Sequence, residues 1–225
     1  MIVVVPARGG SKGLPRKNVL GIAGKPLIVH SLECALAAKS VTRVVVSTDD
    51  AEIAGVARGV PGVEVPFLRP AELSGDTASA IDVHLHAGQM LGTKQICVLL
   101  PTAPLRLPED IDASVALFRE KAAAVVLSVT AAKPAAWQQS MDQDGKLSPV
   151  PGLAASVDNR QGYGRTVIPN GAVYVLDLAE LAATRTYFGP RTWAHYMPAD
   201  RSIDIDGEDD RVIAEALLER RARSA

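Results

Sequence analysis

Hydrophobic positions along the chain fall into blocks of two kinds. IVVV (2–5), the apolar part of RVVVSTDD (43–50), QICVLL (95–100) and AAVVLSVT (123–130) are continuous apolar runs rich in β-branched residues. Runs of this length predict strands buried on both faces. A shorter run at 63–67 predicts a further strand. Between the runs, apolar residues recur at helical spacing. Leu27, Ile28, Leu32, Ala35 and Leu36 follow Pro26, Ile53 and Val56 follow two aspartates, and segments 76–91 and 108–121 show the same period. Asp49 or Asp50 is placed to cap the second helix, and Asp76 the third. This alternation predicts an α/β fold, a mostly parallel central sheet between two layers of helices.

The pattern breaks at 133–170, which holds Pro134, Pro149, Pro151, Pro169 and four glycines. DQDG (142–145) is a turn signal, and the stretch is too long for an ordinary loop. It reads as an inserted arm containing a β-hairpin, used for dimerisation or for covering a site, within a single domain spanning 1–225. After it, GAVYVLD (171–177) returns to strand. SIDID (202–206) reads as a short strand ending in carboxylates, and 208–220 as the closing helix.

Composition narrows the possibilities. With 48% hydrophobic but only 4% aromatic residues, the core must rest on Ala, Val, Leu and Ile. A net charge of −1 excludes a general polyanion binder, so no nucleic-acid partner is expected and any basic site must be local. Pro6 and Arg8 interrupt the first apolar run too early for a secretory signal, and no run reaches membrane-spanning length. A cytoplasmic protein is expected. Cys34 and Cys97 lie in apolar surroundings without metal-type spacing and read as buried thiols. Of His30, His84, His86 and His195, only His84 and His86 are near neighbours. On a helix those two point apart, so all four read as ordinary residues.

One local charge concentration stands out. After the first strand, Arg8, Lys12, Arg16 and Lys17 alternate with Gly9, Gly10 and Gly13, and no acid occurs in the first 32 residues. Ligands of open α/β sheets sit at the carboxyl ends of strands, where this loop begins. Glycines let successive N–H groups face one anion, and the cations supply countercharge. The spacing fits neither the P-loop nor the dinucleotide fingerprint. A polyphosphate is the expected guest, against the alternative of a solvated basic loop. In a strand, Asp204 and Asp206 would leave the same face and repel unless a cation lay between them, and Mg²⁺ suits such a pair beside phosphates. The competing reading has these acids capping the last helix or pairing with Arg211.

ARGGSKGLPRKN (7–18) resembles the nucleotide-binding signature of the acylneuraminate cytidylyltransferases, the CMP-sialic acid synthetase-like family. LRPAELSGDTAS (68–79), PTAPLR (101–106), PNGAVY (169–174) and SIDIDGEDD (202–210) resemble further family blocks in the same order. The resemblance implies a Rossmann-like nucleotidyltransferase fold, Mg²⁺, a homodimer, and transfer of CMP from CTP to the anomeric hydroxyl of a nonulosonic acid. It places Arg8, Gly9, Gly10, Ser11, Lys12, Gly13, Lys17 and Asn18 at the triphosphate, with Arg8, Lys17 and Asp206 as catalytic residues and Arg16 solvated. Arg69, Ala78 and Ser79 fall at the nucleoside, and Asp204 and Asp206 at the metal. Thr102, Arg106, Asn170 and Tyr174 border the sugar acid, which Arg160 and Arg165 of the arm would approach from the same subunit or its partner.

The chain departs from the sialic-acid pattern at Leu100, where Gln is common, at Ile168, where Arg is common, and at Ala80, where a second serine is common. Trp137 stands near a lysine of some relatives. These changes make the pocket more apolar, which fits legionaminic or pseudaminic acid better than sialic acid. Competing expectations are a nucleotidyltransferase for 3-deoxy-manno-octulosonate or a sugar 1-phosphate, and a non-catalytic nucleotide-binding module.

Overall fold

The computed structural model describes residues 1–10, 13–150, 152 and 165–224. Its strands are β1 (Ile2–Pro6), β2 (Gly21–Ile22), β3 (Lys25–Pro26), β4 (Arg43–Ser47), β5 (Val63–Glu64), β6 (Gln95–Val98), β7 (Val125–Ala131), β8 (Gln139–Met141), β9 (Leu147–Pro149), β10 (Val167–Asp177) and β11 (Thr192–Tyr196). The helices are α1 (Leu27–Ala37), α2 (Ala51–Arg58), α3 (Ala80–Leu91), α4 (Pro108–Glu120), α5 (Leu178–Thr184) and α6 (Glu208–Ser224).

Seven strands form one sheet in the order β11-β7-β10-β6-β1-β4-β5. β1 pairs in parallel with β4 and β6, β4 with β5, and β7 with β11, while β10 runs antiparallel to both its neighbours. The apolar runs alternate between two cores. Val3 and Val5 pack with Ile28, Ile53 and Ile111 on one face, and Val4 packs with Ile81, Ala87 and Leu181 on the other. This is why the strands carry no polar face. A small third cluster joins Ile22, Leu27, Leu105, Ile205 and Ala214, and so ties the acidic segment to α6 and the β2–β3 turn.

Several expectations need correction. Only residues 63 and 64 of the third predicted strand pair. Leu36 is 40% exposed, on the outer face of α1. The helix expected from Asp76 starts at Ala80 with Ser79 at its N-cap, because Asp76 is drawn to Arg8 instead, at 2.8 Å. SIDID is not a strand. β10 begins at Val167, inside the stretch assigned to the arm. Asp50, not Asp49, caps α2, accepting from Glu52 N and Ile53 N at 2.9 and 3.0 Å. The DQDG turn does close a hairpin, β8–β9. Its Asp142 carboxylate accepts from Asp144 N and Lys146 N at 3.0 and 2.9 Å.

Candidate active site

The loop leaving β1 is built around acids that follow β4. Gly9 N donates to Asp49 Oδ1 at 3.2 Å, and a Cβ on Gly9 would lie 2.5 Å from Asp50 Oδ2. Only glycine fits there. Asn18, 8% exposed, donates from Nδ2 to Arg8 O at 3.0 Å and so closes the loop on itself. Arg16 is not the solvated cation expected. Its backbone is left-handed, with φ 55°. Its guanidinium grips Asp50 at 2.5 and 3.0 Å and also bonds Glu52. The Arg16 guanidinium, with the two backbone donors of α2, holds the Asp50 carboxyl at a pKa of about 2.

Across the loop lies the acidic segment. A Cβ on Gly13 would overlap the Asp206 carbonyl, so the chains touch there. This approach delivers Lys17, whose Nζ donates to Ile205 O at 2.7 Å and to Asp206 Oδ1 at 3.1 Å. Ile205 is fully buried, and the aspartates on either side of it are exposed. The two acids therefore point outward without strand pairing, and lie beside the cleft through their bonds to Thr102 and Lys17, which line it. Asp210, in the first turn of α6, reaches back to accept from Asp206 N and Gly207 N at 3.0 and 2.9 Å, and so fixes the backbone between Asp206 and the helix. Arg211 is taken by Glu208 and Glu215. The Arg211 pairing considered for the aspartates is thus filled by other residues.

Asp204 keeps contact with solvent, yet the protein on its inner side raises its carboxyl pKa. The Thr102 hydroxyl bonded to it opposes the rise, nearby Asp206 adds to it, and Lys17 and Arg106 oppose it. Two mutually repelling carboxylates beside a basic loop fit a hard divalent cation. Among the described residues no third acid, His or Cys joins them. Such a cation would draw its other ligands from phosphate and water, as Mg²⁺ does.

Between these walls lies a cleft of about 370 Å³. Arg8, Gly10, Lys17 and Asn18 line its basic side, and Leu100, Pro101 and Thr102 the side at the end of β6. Arg69 and Ala78 also face it. Arg69 is 6% exposed and held by Ser74 Oγ at 3.2 Å and Asp49 Oδ1 at 3.5 Å. Ser79 precedes α3 with no side-chain cap bond.

Other expected contacts lie behind the site. Arg106 is 2% exposed. It donates to Ala172 O at 2.8 Å, to Ser31 Oγ at 2.6 Å and to Leu100 O. It is a strut clamping β6 to β10, not a group open to substrate, and burial lowers its pKa to about 10. Asn170, 4% exposed, accepts from Ser128 Oγ at 2.6 Å and donates to Ser202 Oγ at 2.8 Å. It holds the chain leading into the acidic segment instead of reaching a sugar. Next to it, Gly171 has φ 72°, and a Cβ there would press on Asp204 and Leu100 at 3.3 Å. Tyr174 is half-buried among aromatic rings. Arg165 stacks on Tyr196 at 3.7 Å, at the β11 edge. Ser11, Lys12 and Arg160 lie outside the described residues. His84 lines the cleft, although spacing alone made it ordinary. Ile168 is 52% exposed and Trp137 39%.

A basic glycine loop at the carboxyl end of the first strand, in contact with the segment that carries two aspartates beside a cleft, defines a nucleotidyltransferase-type site on an α/β sheet. Residues 2–146 match the family model described as Cytidylyltransferase. The chain is 33% identical, over 97% of its length and 96% of the relative's, to a CMP-N,N'-diacetyllegionaminic acid synthase of Legionella pneumophila. It is 31% identical to an Escherichia coli N-acylneuraminate cytidylyltransferase over 99% of this chain but 53% of that longer relative. The chain belongs to the cytidylyltransferase family. Two solved structures share the fold. CMP:2-keto-3-deoxy-manno-octonic acid synthetase complexed with CTP has a TM-score of 0.74 and 20% identity over 98% of both chains. The 4-diphosphocytidyl-2C-methyl-D-erythritol synthase of Anaerococcus prevotii has a TM-score of 0.66 and 13% identity over 97% and 96%.

Proposed function

We propose that this protein transfers CMP from CTP to the anomeric hydroxyl of a nonulosonic acid of the deoxy, acylamino type. The observation that carries this reading is the near full-length similarity to a legionaminic acid synthase. Leu100 in the cleft wall, an apolar face that would meet the sugar acid, supports it. In the reaction the hydroxyl oxygen bonds the α-phosphorus, the bond to the bridging oxygen breaks, pyrophosphate leaves with that electron pair, and the hydroxyl proton is lost. Arg8 and Lys17 line the cleft and would neutralise the charge that grows on the phosphates. Asp204 and Asp206 would hold Mg²⁺, which supplies further charge neutralisation when bound. Asp206 already bonds Lys17, so both members of the charge system are oriented before CTP arrives. Arg8 is paired with Asp76 at the mouth of the cleft, and the triphosphate would replace Asp76 there.

The reading extends to a homodimer. β8 and β9 carry only exposed residues, with Met141 70% and Leu147 62% exposed. A two-stranded hairpin is marginal alone, and a partner surface would stabilise it. The test of substrate class compares kcat/KM for legionaminic, pseudaminic and sialic acids with product mass. Preference for the first two supports the apolar-pocket reading, and preference for sialic acid overturns it.

A further inference from the structure

His84 is a buried polar residue that the transfer chemistry leaves unused. It sits in α3, is 3% exposed, and contributes to the wall of the cleft. Its Nδ1 lies 3.1 Å from the Tyr187 hydroxyl. The rings of His84, Tyr174 and Tyr187 pack together with centroids 5.7 to 6.4 Å apart. Nε2 meets no protein group among the described residues. It differs from His86 Nδ1, which is sealed in the interior without a partner. Nε2 is not sealed in that way, and the residue lines the cleft. A polar atom so placed is costly unless water or a ligand meets it.

The tautomer in which the Tyr187 hydroxyl donates to Nδ1 carries its ring proton on Nε2. Burial, with the nearby Arg69 cation, holds the ring neutral, with a pKa of about 4. A neutral donor in a wall that also includes Val83 and Leu100 suits a neutral acceptor such as an amide carbonyl better than an anion. Its neighbour indicates which end of the ligand it meets: the His84 ring packs beside Tyr174, the residue that the family resemblance places at the sugar acid, with centroids 6.4 Å apart.

We infer that His84, oriented by Tyr187, donates a hydrogen bond from Nε2 to an acylamido carbonyl of the sugar acid and so determines substrate selectivity. This rests on the sugar-acid reading above. The test is steady-state kinetics on the full chain with the best-accepted acid of the panel, varying the acid and CTP separately. His84→Ala should raise KM for the acid roughly 10-fold and leave KM for CTP within about twofold. Tyr187→Phe, which removes one oxygen, should raise the acid KM about threefold by releasing the tautomer, and His84→Gln should recover part of the loss. A variant that loses CTP affinity as well reports a structural role and overturns the inference. Unchanged kinetics in His84→Ala and Tyr187→Phe overturn it too. Should His84→Ala fail to fold, Tyr187→Phe and His84→Gln decide alone. If the wild-type protein turns over no acid at all, the proposed function itself fails and this inference with it.

Discussion

At the residue scale, three glycines and two buried side chains decide where the charges stand. Gly13 touches the Asp206 carbonyl, so Gly13→Ala should push the loop from the acidic segment. Activity should fall by roughly 100-fold, the scale of losing one aligned charge contact, with the circular dichroism spectrum kept. Equal activity in Gly13→Ala would contradict the geometry. Arg106 separates structure from binding. Removing its guanidinium strands the carbonyls of Leu100 and Ala172 and the Ser31 hydroxyl. Arg106→Ala should therefore cost about 3 kcal/mol or more of unfolding free energy. A loss of sugar affinity at unchanged melting temperature would restore it to the substrate site. PTAPLR and PNG were legible in the sequence as blocks beside the site. Burial, which spacing does not report, decides that Arg106 and Asn170 stand behind it. His84 gave no signal at all, because its free nitrogen depends on Tyr187, 103 positions away.

At the element scale, the sequence carried the strands that are buried on both faces, since continuous apolar runs have few other uses. It missed β11, whose TWAHY lies at a sheet edge with every residue at least partly exposed and no clear alternation, and the short α5. It did not foresee that β10 runs antiparallel, a matter of connection and not of local pattern. The α2 cap makes a pH prediction. Asp50 has a folded pKa of about 2 against an ordinary 3.8. A depressed carboxyl stabilises the fold fully above its unfolded pKa, and the contribution drains as pH falls from there through about 2. Asp50→Ala should cost about 0.5–2 kcal/mol at neutral pH, and its stability curve should be flatter below pH 4 than that of the wild type. Parallel curves would show that the Arg16–Asp50 contact is idle.

At the scale of the whole molecule, the sheet brings two distant stretches, 8–18 and 204–206, to one cleft. Ile205 and Gly13 are the contacts that hold them there. The acidic pair was legible in sequence although the strand expected to carry it does not form. Burying Ile205 sends both neighbours outward, as a strand would. The hairpin at 139–149 should matter to assembly. Light scattering should give a dimer for the full chain and a monomer when residues 139–149 are replaced by a short Gly-Ser linker. A full chain that runs as a monomer would refute the dimer reading.

The most direct measurement of the central claim is pyrophosphate release from CTP, with Mg²⁺ and a panel of nonulosonic acids, comparing the wild type with Asp206→Ala. The account predicts stoichiometric pyrophosphate and CMP-sugar with at least one acid, and a loss of about 100-fold or more in the variant. Release at the wild-type rate in Asp206→Ala, or no release with any acid, would contradict it.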